Sequence, residues 1–507
     1  MQPASASRAG RLPRLLGAAA IPTLGVAIVA AMLATGGNPA VVLAPLVLLA
    51  VTFSVIRIPL RWSATGLVFL ILSLEISTDA YGVWQSPLVH LGDLLGYGFS
   101  KVARVPVAGF EVAVVALVAV AAFRRASGAT VDGTRATPAA PIVSLCAAIS
   151  AIACLAAMAH GVARGQGVAL WKARYILHIP FFFLFFDTAF RSAADFRPIA
   201  IAVVVAAHIK ALLASYVQLV VAPALTGGRL ACATNHGDSI LFAMAVTIIV
   251  VPVLLRFRRR DVLRAMVLLP LPLWGMVLND RRLVWAMLAM IGVLFFLATS
   301  WRHWKTVVVR MVAILAPIVA AYIAIGWNNT DAGGLFMPVA QIRTMLDPEV
   351  DRSTLWRDRE NWNIAMSLKH SSPLGIGLGG EYVEYMFNDD LTAIYPDYRG
   401  WPHNTILGLL LLAGIPGFVA LWLPYLVTVF LALRSERMAE VPEHRIYAYL
   451  IVAAVMTCLA VAWGDTGSHF IQYKLAMGLA MALAGKLAVE TGAWPMRSRP
   501  SIASCAV

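Results

Sequence analysis

A histidine and two groups of arginines stand out in a chain otherwise poor in reactive side chains. The run Trp401, Pro402, His403, Asn404 opens an apolar stretch that continues through Leu412 to a break at Gly414, Ile415, Pro416 and Gly417. An imidazole in that position titrates near neutral pH and is able to take a proton from a sugar hydroxyl. Its plain alternative is to cap the helix or to rest in a headgroup layer. Arg281 and Arg282 follow Asn279 and Asp280 at the mouth of another apolar stretch. The planar guanidinium fork suits phosphate oxygens, to which it donates two parallel hydrogen bonds. A salt bridge to Asp280 or to an acid elsewhere competes with that reading. Arg352 precedes Trp356 by one helical turn, and Arg357 and Arg359 follow; here the alternative is a solvated charged face.

A glycine-rich run, Pro373, Leu374, Gly375, Ile376, Gly377, Leu378, Gly379, Gly380, does not make a phosphate loop. No strand signal precedes it, and no Lys followed by Ser or Thr completes a Walker motif. A tight turn that lets backbone pass close to a ligand or a helix fits it better. Two Asp residues nowhere stand two positions apart, which removes the metal-nucleotide pattern of soluble sugar transferases. Cys146, Cys154, Cys232, Cys458 and Cys505 are scattered without paired metal spacing and read as structural. No metal and no cofactor is expected.

The elements that must position these residues are membrane spans. Of 507 residues, 60% are hydrophobic and 13% charged, and the mean hydropathy is +0.79. There is too little polar surface for a soluble or disordered chain. Each crossing needs about 20 helical residues. Apolar runs fall near 15–35, 40–56, 64–78, 107–123, 141–159, 168–190, 198–222, 239–255, 262–279, 283–300, 307–326, 404–433, 446–463 and 471–489. The expected fold is an all-α integral membrane bundle of about twelve to fourteen transmembrane helices. Residues 1–326 hold the first eleven spans, 327–402 a large loop domain, 403–490 the last spans and 491–507 a cytoplasmic tail.

The net charge of +14 comes from 40 Lys and Arg against 26 Asp and Glu. It lies between apolar runs rather than on a soluble basic module, so no nucleic-acid partner is expected. Alternate connections carry Arg57 and Arg61, Arg124 and Arg125, Arg191 and Arg197, Arg256 to Arg260, Arg302 with Lys305, and Arg434 with Arg437. The positive-inside bias makes those cytoplasmic, with both termini. Residues 229–238, 279–282, 327–402 and 464–469 then face the other side. The long insert is rich in Trp and Tyr, which argues for a folded cap over the membrane domain. Within it Ser353 to Leu368 has helical character, with Leu355, Trp362 and Ala365 on one face, and Ser371, Ser372 and Pro373 as the stop.

Taken in order, Arg281 and Arg282, then Asp351 to Trp356 (DRSTLW), Ser372 to Gly380 (SPLGIGLGG) and His403 to Gly417 (HNTILGLLLLAGIPG) resemble the O-antigen ligase and Wzy-type polymerase superfamily. Thr234, Asn235 and His236 after Arg229 look like its upstream Asn motif. The resemblance covers residues 229–417 by motif and the whole chain by topology.

It implies an inverting, metal-independent glycosyltransferase of the GT-C type in a bacterial inner membrane. Such an enzyme takes an undecaprenyl-pyrophosphate-linked glycan as donor, acts on the periplasmic face and serves cell-surface polysaccharide, lipopolysaccharide or exopolysaccharide synthesis. The acceptor hydroxyl would belong to lipid A core or to another glycan. By the same resemblance His403 matches the general base, and Arg281 or Arg282 with Arg352 match the pyrophosphate-binding arginines. Asn404, Arg357, Tyr395, Tyr398 and Asn235 are further contact candidates. The ligase pattern of an Arg followed four positions later by Leu is not met, since Trp285 and Ala286 stand there, so ligase and polymerase both remain open. A reading from another class is a secondary transporter or flippase, which would use Lys172, Arg174, His208 and Lys210 within the membrane.

Overall fold

The computed structural model describes residues 58–74, 109–126, 137–228, 230, 233–279, 281–299, 303–327, 336, 339, 343, 352–390 and 398–495. The expected spans at 15–35 and 40–56, Arg229, Asp280, Tyr395 and most of the 491–507 tail lie outside the described residues. Among the described residues there are helices and no strand. The first half contains α1 Leu60–Ser73, α2 Gly109–Ala126, α3 Pro141–Ala163, α4 Ala169–Ala189 and α5 Phe196–Tyr216. A π turn, Val217–Val221, then leads into the short α6 Ala222–Thr226. The second half contains α7 Asp238–Arg256, α8 Arg259–Leu268, α9 Pro270–Asn279, α10 Arg282–Ala298 and α11 His303–Trp327. These are followed by α12 Arg352–His370, α13 Thr405–Met438, α14 Pro442–Gly464 and α15 Ile471–Glu490.

Seven helical runs are long and apolar enough to cross a membrane: Pro141–Ala163, Ala193–Ala224, Asp238–Arg256, Arg259–Asn279, Val308–Trp327, Thr405–Met438 and Pro442–Gly464. This is the make-up of a multi-pass, all-helical membrane protein. Three shorter apolar helices, Leu60–Ser73, Gly109–Ala122 and Arg282–Ala298, add to them. α15 is the centre of the bundle, buried almost throughout from Ile471 to Ala488 and packed on α4, α13 and α14. Its Ala, Leu, Met and Gly positions fill that core, and Gln472, Lys474 and Lys486 are buried with them. α4 meets it with a ladder one turn apart, Phe182 on Phe186 at 6.3 Å and Phe186 on Phe190 at 5.5 Å.

Contacts gather several of the described connections into two groups. At one end Arg61 pairs with Asp195 at 3.2 Å, Arg256 with Glu443, and Glu490 accepts the Ala193 N–H at 2.9 Å. At the opposite end the segments 233–238, 398–404 and 464–470 meet Asn279, and α12 packs on α13.

Two expectations for the insert meet different outcomes. α12 ends at His370, directly before Ser371, Ser372 and Pro373. Its buried face, however, is Trp356, Glu360, Asn363, Ile364 and Ser367, while Trp362 and Ala365 are exposed. The expected apolar face misses because Trp356 and Ile364, packed with Tyr382, Tyr398 and Leu411, share the buried side with the polar Glu360, Asn363 and Ser367. Asn363 Oδ1 accepts the N–H groups of Tyr385 and Met386 at 3.0 and 2.7 Å, and its Nδ2 donates to the Met386 carbonyl at 2.8 Å. These bonds fasten an extended segment along the helix, so burial of the amide is compensated.

The glycine-rich run serves the helices, as its composition suggests. α13 breaks at Gly414, where φ is 67°. The Ile415 N–H turns to the Pro373 carbonyl at 2.9 Å, and Pro416 has no N–H to give, so the carbonyls of Leu411 and Leu412 lose their helical donors. Ile376 and Gly377 N–H groups fill both, each at 2.9 Å, and Leu378 N–H reaches the Ala157 carbonyl of α3 at 3.0 Å. A Cβ at Gly377, where φ is 86°, would stand 2.5 Å from the Gly161 Cα. The run thereby stitches α3 to the break in α13 with backbone alone.

Candidate active site

His403 sits just before α13, and the capping task falls to its neighbour. Asn404 Oδ1 accepts the Leu407 N–H at 3.1 Å, which closes the first turn and leaves the imidazole uncommitted to the helix. Glu360 of α12, 1% exposed, accepts the His403 backbone N–H at 3.1 Å and lies 3.3 Å from Nδ1. Trp356, one turn earlier, meets the imidazole edge-on at 5.0 Å. With the Nδ1 proton directed to Glu360, the Nε2 lone pair is available to a substrate, and the side chain keeps 24% exposure.

A second carboxylate–imidazole pair stands beside the first. Asp465, in the turn after α14, accepts from His236 Nδ1 at 2.8 Å and from the Thr466 N–H at 2.8 Å. Its own carbonyl accepts the Thr405 hydroxyl at 3.3 Å, which ties this turn to the first residue of α13. Burial pushes the Asp465 carboxyl up, but the His236 hydrogen bond and the charges of His236, Arg357 and His403 outweigh it and hold the group well below the usual carboxylate range. His236, Arg357 and His403 therefore all lie within electrostatic reach of one carboxylate. His469, four residues on, is driven down to about 4 by burial and by the charge of Lys474, against the pull of Asp465.

Arg281 and Arg282 stand at the head of α10. Arg281 has extended backbone as the N-cap residue, and its Nε and Nη2 are buried with no hydrogen-bond partner among the described residues. Arg282 is half-buried as the first helical residue. Their surroundings are tied to the histidine pairs. Asn279 Oδ1 accepts the Thr234 N–H at 3.0 Å, and Leu283 packs against Gly464, where an added Cβ would lie 2.9 Å from its Cδ1. Asn235 turns its Oδ1 inward to the Gly237 N–H at 2.9 Å, shaping the loop that presents His236. Thr234 Oγ1, Asn404 Nδ2, Ser468 Oγ and Asn361 Oδ1 are further buried polar atoms without a partner among the described residues, from segments that meet at this end. Such a concentration of unsatisfied groups marks a place where a polar ligand fits.

Other expected site residues stand apart. Arg352, with its side chain 84% exposed, is paired with Asp389 through Nε at 3.1 Å and Nη2 at 3.0 Å. Tyr398 is buried, its ring packed on Trp356 at 5.9 Å and its hydroxyl donating to Glu384 at 2.8 Å; burial and that bond push it up to about 12. It supports Trp356 and offers no free face for a sugar. Of the transporter candidates, Lys210 pairs with Asp238 at 3.4 Å, and Gln472 donates to the same carboxylate at 3.3 Å. Asp238 is the first residue of α7, so this pair braces the His236 turn.

Glu360 and Asp465 were passed over in the sequence reading, and His236 entered it only as part of the Asn motif. Each had a faint signal: an acid one turn after Trp356, an acid in the short loop Gly464 to His469, and a histidine beside Asn235. Among the described residues no cluster of three His, Cys, Asp or Glu side chains is placed to hold a metal ion. In comparisons with known proteins the chain matches no family model, and no curated protein matches it in sequence.

Proposed function

We propose that this chain is an inner-membrane glycosyltransferase of the GT-C type that transfers a glycan from undecaprenyl pyrophosphate to an acceptor hydroxyl. The end of the bundle with His403 then faces the periplasm, and residues 327–402 form its cap. The observation that carries this reading is the Glu360-held His403 beside Asp465, His236 and Arg357, with the buried, unpartnered Arg281 nitrogens on the segments that close the same end.

In the proposed reaction His403 Nε2 takes the proton of the acceptor hydroxyl, whose oxygen attacks the anomeric carbon of the lipid-linked sugar. The bond from that carbon to the pyrophosphate oxygen breaks, the electron pair leaves with the phosphate, and configuration inverts. Glu360, 3.3 Å from Nδ1, stabilises the imidazolium that forms. Arg281 is the donor for charge growing on the leaving group, in a setting where a preplaced donor contributes about 100- to 1000-fold in rate. The order of the motifs supports a ligase or polymerase of surface polysaccharide, whose acceptor is lipid A core or a growing glycan.

The test supplies membranes containing lipid-linked glycan with wild type, His403→Ala or Arg281→Met. Transfer lost in both variants at unchanged protein level supports the reading. Normal transfer by His403→Ala contradicts it.

A further inference from the structure

The turn between α7 and α8 carries a surface that the proposed reaction does not use. The helical runs Asp238–Arg256 and Arg259–Asn279 are both long and apolar enough to cross a membrane, and only Phe257 and Arg258 connect them. Runs of 19 and 21 residues are about 30 Å long, close to the thickness of the hydrocarbon core, so a two-residue turn between them lies at its edge. Phe257 ends α7 in the left-handed region, with φ 45° and ψ 43°, and its N–H reaches the Val253 carbonyl at 2.8 Å. Glycine is the residue at home in that conformation. Among the described residues Phe257 is the one non-glycine residue with positive φ, and it is 76% exposed. Packing inside the protein therefore does not compensate its strain.

Arginines flank the ring on both sides. Arg256 pairs with Glu443, and Arg264 lies 3.9 Å from Asp261. Arg258, Arg259 and Arg260 are exposed and form no ion pair among the described residues. Charge then gives way to aliphatic surface, because Leu263, Met266 and Val267, which share one face of α8, are exposed as well. Guanidinium groups, an aromatic ring and then bare aliphatic side chains follow the order in which a bilayer presents phosphates, interface and acyl chains. We propose that residues 257–260 form a binding surface for anionic phospholipid, with Arg258, Arg259 and Arg260 on the headgroup phosphates and Phe257 inserted at the boundary with the acyl chains.

Lipid is the partner that answers every part of this surface. Water solvates three arginines without difficulty, but it leaves a strained, exposed phenyl ring uncompensated. A soluble polyanion would meet the guanidinium groups and leave the aliphatic face of α8 bare. A headgroup phosphate offers the fork of each arginine two acceptor oxygens, and the layer beneath it buries the ring. An arginine near an anionic leaflet contributes about fivefold to the association, so the three together contribute about 100-fold. The turn lies at the far end of α7 from Asp238 and the His236 loop. Glycosyl transfer at the His403 end neither requires this contact nor follows from it.

The experiment reconstitutes the full chain in vesicles of equal phosphatidylglycerol and phosphatidylcholine and counts the lipids it retains on release by native mass spectrometry. The wild type is expected to retain phosphatidylglycerol over phosphatidylcholine by at least tenfold, and less so at high salt. The combined variant Arg258→Gln, Arg259→Gln, Arg260→Gln should lose more than half of that enrichment; its substitutions are on exposed positions and should leave the melting temperature unchanged. Phe257→Gly should melt no lower than wild type in detergent, since glycine adopts the left-handed conformation freely, and should retain less phosphatidylglycerol. The photoreactive p-benzoylphenylalanine placed at position 257 should crosslink to phospholipid. Equal retention of the two lipids by wild type overturns the proposal, as does a triple variant that keeps half or more of the enrichment. So does a position 257 that crosslinks to a second copy of the chain and not to lipid, or a Phe257→Gly protein that melts lower and retains phosphatidylglycerol as wild type does.

Discussion

Glu360→Gln isolates the partnership that makes His403 a base. The carboxylate accepts the His403 backbone N–H at 3.1 Å and stands 3.3 Å from Nδ1. A glutamine keeps the volume, and its amide oxygen is able to keep the backbone bond. Its NH2 group then faces Nδ1 as a donor, which places the imidazole proton on Nε2, where the reaction needs a lone pair. Charge is lost as well. Two unit charges 3.3 Å apart interact by about 5 kcal/mol at an effective dielectric of about 20. Because the imidazole is one-quarter exposed, about half of that is retained for the transition state, or roughly 100-fold in rate. The wrong tautomer adds to this, as in hydrolase triads where the amide variant costs about 10,000-fold. The expected fall in kcat is therefore between about 100- and 10,000-fold, with KM for the donor little changed. The assay is single-turnover transfer from a lipid-linked glycan in detergent, with melting curves to confirm folding. A Glu360→Gln enzyme within threefold of wild type would refute the orienting role.

Arg281→Met should lower transfer by about 100- to 1000-fold while leaving the melting temperature equal or higher, since it removes a buried cation with unsatisfied nitrogens; parallel assays of rate and melting separate the two effects. Asp465→Asn should slow transfer by about tenfold or more by freeing His236. The wild-type Asp465 carboxylate is held low, so its stabilising contribution is present above about pH 4 and is lost only in stronger acid. A melting series against pH in both proteins checks this. His469 is held neutral, with its folded value near 4, so the unfolded chain binds the extra proton between about pH 6.5 and 4 and stability falls across that window as pH falls. His469→Phe should flatten that slope in the same series. Gly377→Ala should destabilise the protein by several degrees, because its φ of 86° and a Cβ 2.5 Å from the Gly161 Cα allow no side chain.

The bundle was legible because hydrophobic length is a local signal. Helices such as Pro141–Ala163, Asp238–Arg256 and Pro442–Gly464 begin and end within a few residues of the apolar runs. Residues 233–238, Asn279 and 464–469, which alternation puts on one side, are in contact. What stayed hidden depends on tertiary contact. α12 buries Glu360 and Asn363 alongside Trp356 and Ile364, because the partners of the two polar side chains come from residues 385–386 and 403. Asp465 was invisible until His236, 229 positions away, donated to it. Arg352 has the residue type and the motif for phosphate binding, yet Asp389 claims its guanidinium at the surface.

Purified protein in detergent micelles, without compartments, with lipid-linked glycan and separate pools of lipid A core and glycan acceptors, provides the most direct measurement. The account predicts a longer or transferred glycan together with released polyprenyl pyrophosphate from wild type, and neither from His403→Ala. Donor left unchanged by folded wild type, or equal product from both proteins, would contradict it.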